Sequence, residues 1–223
     1  MLCLGCAREI GARGDSLCRD CFTSLERLPA GVCAKCAQPR PCHPCPGADA
    51  PWDAAAAACV HGGAARSLVS SLKRSGSARV AMAMAIEIAA VLPEQELESR
   101  AIVPVAPHPA RRRRSGVDHG RVLAASLARI TGRPLLELLA RIGPATRQAG
   151  ASRSQRTEPG RIEFAIRGPV PERVLLVDDV HTTGATLAAA TEVLLGGGCR
   201  SVRCATFARA LAGPVPCLEP SDW

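Results

Sequence analysis

Beyond residue 52 the chain alternates two hydrophobic rhythms. Short apolar runs at 54–61, 101–107, 161–166, 173–177 and 200–208 read as strands. The first is the weakest, because alanine is a poor strand former. Between these runs, apolar residues three and four apart predict helices over 64–74, 77–92, 119–130 and 183–195. In the first helix Leu68, Val69 and Leu72 share a face; in the third, Val122, Leu123, Leu127 and Ile130 do. Gly196, Gly197 and Gly198 close the last helix. Residues 135–142 fit either a strand or a helical turn, and the polar, basic stretch 146–160 reads as a loop. Such alternation predicts an α/β domain with a parallel sheet covered on both faces. The run Val174, Leu175, Leu176, Val177 suits a central strand, buried on both sides. Ligands of such sheets bind beyond the carboxyl ends of the strands, here after Val177 and Val105.

The first 45 residues follow another logic. They hold eight of the twelve cysteines, as four C-x-x-C turns: Cys3/Cys6, Cys18/Cys21, Cys33/Cys36 and Cys42/Cys45. Each turn aims two thiolates at one point, and two turns supply a tetrahedral zinc site. Four turns supply two structural zinc sites. Sequential pairing is the simplest; spacing leaves crossed pairing open. A disulfide cluster is disfavoured if the compartment is reducing, and a redox C-x-x-C occurs once beside a βαβ unit, not four times in a row. His43, inside the fourth turn, reads as a bystander. Few apolar residues accompany these turns, so metal binding must supply most of the folding free energy. Cys59 and Cys204 lie in apolar runs and read as core; Cys217 sits in a Pro-rich tail and stays undecided.

Composition narrows the function. A 47% hydrophobic content excludes disorder for most of the chain. The aromatics are Phe22, Trp52, Phe164, Phe207 and Trp223, too few for a platform of stacking rings on single-stranded nucleic acid. No apolar run approaches the ~20 residues of a membrane span, and the N-terminus lacks a signal-peptide pattern, so a cytoplasmic location is expected. The net charge is +8, and residues 100–160 carry +9. Either an arginine-rich composition supplies solvated cations there, or an anionic ligand meets this region.

The chemistry gathers after the central strand. Asp178 and Asp179 are followed by Val180, His181, Thr182, Thr183, Gly184, Ala185 and Thr186. The turn, its hydroxyls and the next helix's N-terminus form an anion site suited to phosphate. The carboxylates would repel that phosphate, so they should face hydroxyls or a divalent metal. A phosphate, a diol and a metal together describe a phosphorylated sugar. His181 reads as exposed packing of the turn. No G-x-x-x-x-G-K-[ST], D-x-D phosphatase motif or G-x-G-x-x-G accompanies the pair.

The run VLLVDDVHTTGATL resembles the signature of type I phosphoribosyltransferases. The whole chain resembles the ComF family, competence-associated proteins that join a double zinc ribbon to a phosphoribosyltransferase fold. The likeness spans the four C-x-x-C turns, Leu72-Lys73-Arg74-x-Gly76, the strand IVPVAPHPARRRR and the loop Gln148-Ala149-Gly150-x-Ser152-Arg153. Ser115-Gly116-Val117-Asp118-His119 stands where relatives tend to read R-G-F-N-Q, His61 stands where an aromatic is common, and Thr157-Glu158-Pro159 replaces an Asn-containing run.

The resemblance implies a double zinc ribbon at 1–46, a parallel-sheet type I phosphoribosyltransferase domain at 52–212 and a tail at 213–223. It implies binding of phosphoribosyl pyrophosphate with Mg²⁺. The 5-phosphate would lie on Thr182, Thr183, Gly184, Ala185 and Thr186, and the ribose or its Mg²⁺ on Asp178 and Asp179. His108 and Arg111 to Arg114 would take the pyrophosphate, although these arginines also fit a solvated basic turn and His108 a structural role. The loop bearing Arg153 would close over the site. Two functions follow: phosphoribosyl transfer to an unidentified acceptor, or a non-catalytic sensor that helps handle single-stranded DNA with other DNA-uptake proteins.

Elemental analysis of purified protein should find two zinc ions per chain, held by the first 45 residues. A content well below one equivalent, with no rise on adding metal under reducing conditions, would contradict the assignment.

Overall fold

The computed structural model describes residues 2–10, 16–98, 100–107, 109, 116–142 and 162–211. The elements run α1 (Arg19–Thr23), β1 (Ala54–Val60), α2 (Gly63–Ser75), α3 (Ala78–Ala90), α4 (Glu94–Leu97), β2 (Ala101–Pro104), α5 (His119–Thr131), β3 (Leu139–Ile142), β4 (Glu163–Ile166), β5 (Arg173–His181), α6 (Ala185–Gly196) and β6 (Ser201–Arg209). Strands β1, β6, β5 and β2 lie side by side in that order, all parallel. The expected parallel α/β architecture is therefore present. The segment that fitted strand or helical turn proves extended and split between two tasks. Leu135 flanks β2 through a parallel bridge to Ile102, and β3 pairs antiparallel with β4.

Both faces of the sheet are covered, which explains the unbroken apolar run of β5. Leu175 and Val177 pack with Leu68 and Leu72 of α2, Met84 and Ile88 of α3, and Leu123 and Leu127 of α5. Their neighbours Val174 and Leu176 point the other way, onto Leu187, Ala190 and Leu194 of α6. Cys59 and Cys204 are buried in these cores, as their apolar settings imply. Helix ends follow local chemistry. Ser77 Oγ accepts from Val80 N–H to start α3, and Asp118 Oδ1 accepts from Arg121 N–H to start α5. Gly76 and Gly132, both left-handed, end α2 and α5.

The cysteine segment lies against β1. Leu28 N–H donates to Ala58 O at 2.9 Å, and Val60 N–H to Glu26 O at 2.8 Å, so residues 26–28 run antiparallel along that strand. Cys3, Cys21 and Leu25 join Ala64 and Leu68 of α2 in the core. Arg27 forks onto Glu87 of α3 at 2.8 and 2.7 Å. Among the described residues no helix is long and apolar enough to cross a membrane.

Helix α5 reaches the end of β2 through Gly120, where an added Cβ would lie 2.7 Å from the Val105 carbonyl oxygen. Backbone cannot give way as a flexible side chain can. Gly120→Ala should therefore lose about 1–3 kcal/mol of stability, the scale of overpacking. Urea unfolding of the variant beside wild type checks this.

Candidate functional site

Strand β5 extends four residues beyond its expected end at Val177, because Asp178, Val180 and His181 stay in register with Thr206, Ala208 and Arg209 of β6. Both carboxylates therefore stand within a strand, and adjacent strand residues face opposite ways.

Asp179, 4% exposed, faces the α2/α5 layer. Lys73 Nζ sits 3.0 Å from its Oδ1, and His119 Nε2 lies 3.4 Å from its Oδ2. Lys73 comes from the last turn of α2 and His119 from the first of α5. The two meet because α2 stops at Gly76, whose missing Cβ would lie 2.3 Å from Val117 Cγ1. Asp178 is met differently. The Asp179 N–H donates to its Oδ1 at 2.8 Å, and the charges of Lys73 and Arg141, the latter from β3, favour its ionised form. Burial, with the Asp179 charge beside it, outweighs them and pushes its carboxyl up to about 7. His61, just past β1, feels Arg66, Lys73 and Asp179; burial first, then the two cations, hold its imidazole below the ordinary histidine range.

The turn after β5 is anchored from beneath. His181 is buried at 2% exposure, contrary to the expectation of exposed packing, because Trp52 meets its ring edge-on with centroids 5.6 Å apart. Burial and the nearby Arg209 push its imidazole down to about 4. Gly184 adopts φ +85°, and a Cβ there would lie 2.9 Å from Trp52 Cη2 and 3.1 Å from His181 Nε2. Glycine is required here by backbone conformation and by the ring beneath. Thr182, Thr183 and Ala185 are exposed, and Thr186 is half-buried. Helix α6 then starts with no side chain capping it at Gly184; the Ala185 N–H reaches Thr183 Oγ1 at 3.4 Å. First-turn N–H groups beside exposed hydroxyls suit an anion.

A cavity of about 590 Å³ opens beyond β2, lined by Ala106, Pro107, Asp118, Leu139, Arg141 and Arg167. Arg141 thus borders the cavity and acts on Asp178. His108, Arg111 and Arg153 lie outside the described residues.

The cysteines pair sequentially. Cys3, Cys6, Cys18 and Cys21 form one group, and Cys33, Cys36, Cys42 and Cys45 the other, with all sulfurs of a group within 4.8 Å of one another. His43 belongs to neither. Cys6 and Cys18 sulfurs are 3.7 Å apart, as are those of Cys33 and Cys45. Four sulfurs at about 2.3 Å from a tetrahedral zinc are about 3.8 Å apart, so both groups fit the metal. Burial pushes the Cys3 thiol up, yet the Cys18, Cys6 and Gly5 N–H groups outweigh it and bring it down to about 6. Cys33 behaves alike: burial opposes, and the Cys36 and Lys35 N–H groups lead the effects that bring it to about 6. Burial and the neighbouring sulfurs push their partners Cys21 and Cys36 the other way.

Lys73, His119 and His61 figured in the sequence only as points of likeness to or departure from the family pattern, with no role attached; Arg141 and Arg209 were not singled out at all. Lys73 carried a signal nonetheless: it is one of two lysines among 28 basic residues.

With this geometry in place, the family model described as phosphoribosyl transferase domain matches residues 119–220. The match takes in α5, the β5 carboxylates, the anion turn and β6. The chain carries a phosphoribosyltransferase domain on a parallel α/β sheet, preceded by two four-cysteine groups compatible with a zinc-ribbon module. No curated protein matches the chain significantly.

The raised Asp178 pKa has a definite sign in stability. The folded carboxyl keeps its proton up to about pH 7, whereas the unfolded one releases it near 3.8. The folded state therefore binds more protons in that window, and this group's contribution to stability falls as pH rises through it. Asp178→Asn stays neutral. Its melting temperature should exceed that of wild type by more at about pH 8 than at about pH 5.5. Thermal melts at the two pH values decide it.

Proposed function

We propose that the protein is a phosphoribosyltransferase of the ComF type that binds phosphoribosyl pyrophosphate with Mg²⁺ and transfers the phosphoribosyl group to an acceptor nucleophile. One observation carries this: a half-buried and a buried carboxylate, Asp178 and Asp179 on β5, stand next to a helix N-terminus without a side-chain cap, beside the exposed Thr182 and Thr183. The 5-phosphate would accept from the first-turn N–H groups of α6 and the hydroxyls of Thr182, Thr183 and Thr186. Asp178 and Asp179 would hold the ribose hydroxyls or the metal. Mg²⁺, when bound, supplies positive charge to the pyrophosphate and the carboxylates.

Transfer breaks the bond from C1 of the ribose to pyrophosphate and forms one from C1 to the acceptor, through an oxocarbenium-like centre. His108 and Arg111 would bear on the departing pyrophosphate, whose growing charge they stabilise. Arg153, in the loop at 147–156, would close the site against water. The acceptor would enter the cavity bordered by Arg141 and Arg167.

A second reading is a sensor that binds this ligand without turnover while helping to handle single-stranded DNA in competence. It is favoured by Asp179 being already engaged by Lys73 and His119. Pyrophosphate release with candidate acceptors separates the two.

Asp179→Asn keeps the shape and removes one charge. It should weaken Mg²⁺-dependent binding of phosphoribosyl pyrophosphate by about 1–3 kcal/mol, the scale of a lost charge-assisted hydrogen bond. Calorimetry on the folded variant measures it; unchanged affinity would move the site elsewhere.

A further inference from the structure

The turn from Cys33 to Cys36 gives three successive carbonyls to the α/β domain. Ala34 O accepts from Ala55 N–H at 2.7 Å, Lys35 O from the Trp52 indole N–H at 2.8 Å, and Cys36 O from Arg209 Nε at 2.7 Å. Lys35 Nζ donates in return to Trp52 O at 2.6 Å. Two of the acceptors' partners continue to the anion turn. Arg209, 2% exposed, uses Nη1 to donate to His181 O at 2.8 Å, to Thr182 O and to Ala210 O. Trp52, also 2% exposed, lies against the His181 ring and beneath Gly184.

Each bridge is therefore a single buried side chain with one end on the cysteine turn and the other on residues 181–184. Arg209 is thus a buried guanidinium whose acceptors among the described residues are all main-chain carbonyls, one on the cysteine turn and the rest at 181, 182 and 210. The other group of cysteines meets the domain elsewhere, through Cys3, Cys21 and Leu25 against α2.

We infer that Arg209 and Trp52 are positioning residues through which the metal-loaded Cys33/Cys36/Cys42/Cys45 site sets the anion turn, so that phosphate affinity depends on this site and not on the Cys3/Cys6/Cys18/Cys21 site. The affinity half rests on the proposed phosphate site; the coupling half rests on the two bridges alone.

The test uses the full chain, zinc-loaded, as wild type, Cys42→Ser, Cys18→Ser, Arg209→Gln and Trp52→Phe. The last keeps a ring over Gly184 but loses the N–H to Lys35 O, and serves if Cys42→Ser fails to fold. Hydrogen exchange is followed in peptides covering 180–188, zinc content is measured, and phosphoribosyl pyrophosphate with Mg²⁺ is titrated by calorimetry. Exchange in the turn should rise about tenfold or more in Cys42→Ser and Arg209→Gln, and severalfold in Trp52→Phe, with Cys18→Ser at the wild-type rate. Affinity should fall in the same order, while Arg209→Gln and Trp52→Phe keep two zinc equivalents. Wild-type exchange in Arg209→Gln and Trp52→Phe, or equal loss of protection in Cys18→Ser and Cys42→Ser, overturns the coupling. The expected exchange pattern with no ligand binding by wild type supports the coupling and overturns the phosphate reading.

Discussion

Two adjacent carboxylates inside a parallel sheet are the constraint around which this molecule is arranged. Strand geometry sends Asp178 and Asp179 to opposite faces, so one layer must deal with a buried acid and the other with a half-buried one. The layer of α2 and α5 answers with Lys73 and His119, drawn together by helix ends that meet at Gly76 and Val117. On the other side Asp178 has no ion pair among the described residues; a backbone N–H and the charges of Lys73 and Arg141 favour its ionised form, and burial with the Asp179 charge outweighs them. The lengths of α2 and α5 are thus tied to the charge at the end of β5 as much as to the apolar core beneath.

Much of this was legible beforehand, for identifiable reasons. Helices with strong apolar stripes, such as Leu68, Val69 and Leu72, came out within a residue or two of their expected ends. So did β1 and β6, and the C-x-x-C spacing carried both four-cysteine groups. β5 was read as ending at Val177, where the apolar run stops. In a parallel sheet the ladder to β6 overrides that signal, and a buried strand keeps two aspartates. The segment 135–142 was ambiguous because it does two things, flanking β2 and then pairing with β4.

The site's partners were harder to see than its motif. Lys73, His119 and His61 come from the ends of α2, α5 and β1, and only the sheet order brings them to β5. His181 was misplaced because a polar residue in a turn is usually solvated. Here Trp52 closes over it. His108, Arg111 and Arg153 fall outside the described residues.

The place of the cysteine segment along β1 has a consequence for solubility. β1 is seven residues long, five of them alanine, and stands at the margin of the sheet. Residues 26–28 and Ala34 engage three of its outward groups, the Ala55 N–H, the Ala58 C=O and the Val60 N–H. A chain trimmed to the α/β domain would leave that row unpaired, with small side chains that let another strand approach closely. Such an edge is a template for association between copies. The cysteine segment therefore covers an edge that would otherwise be open to such pairing.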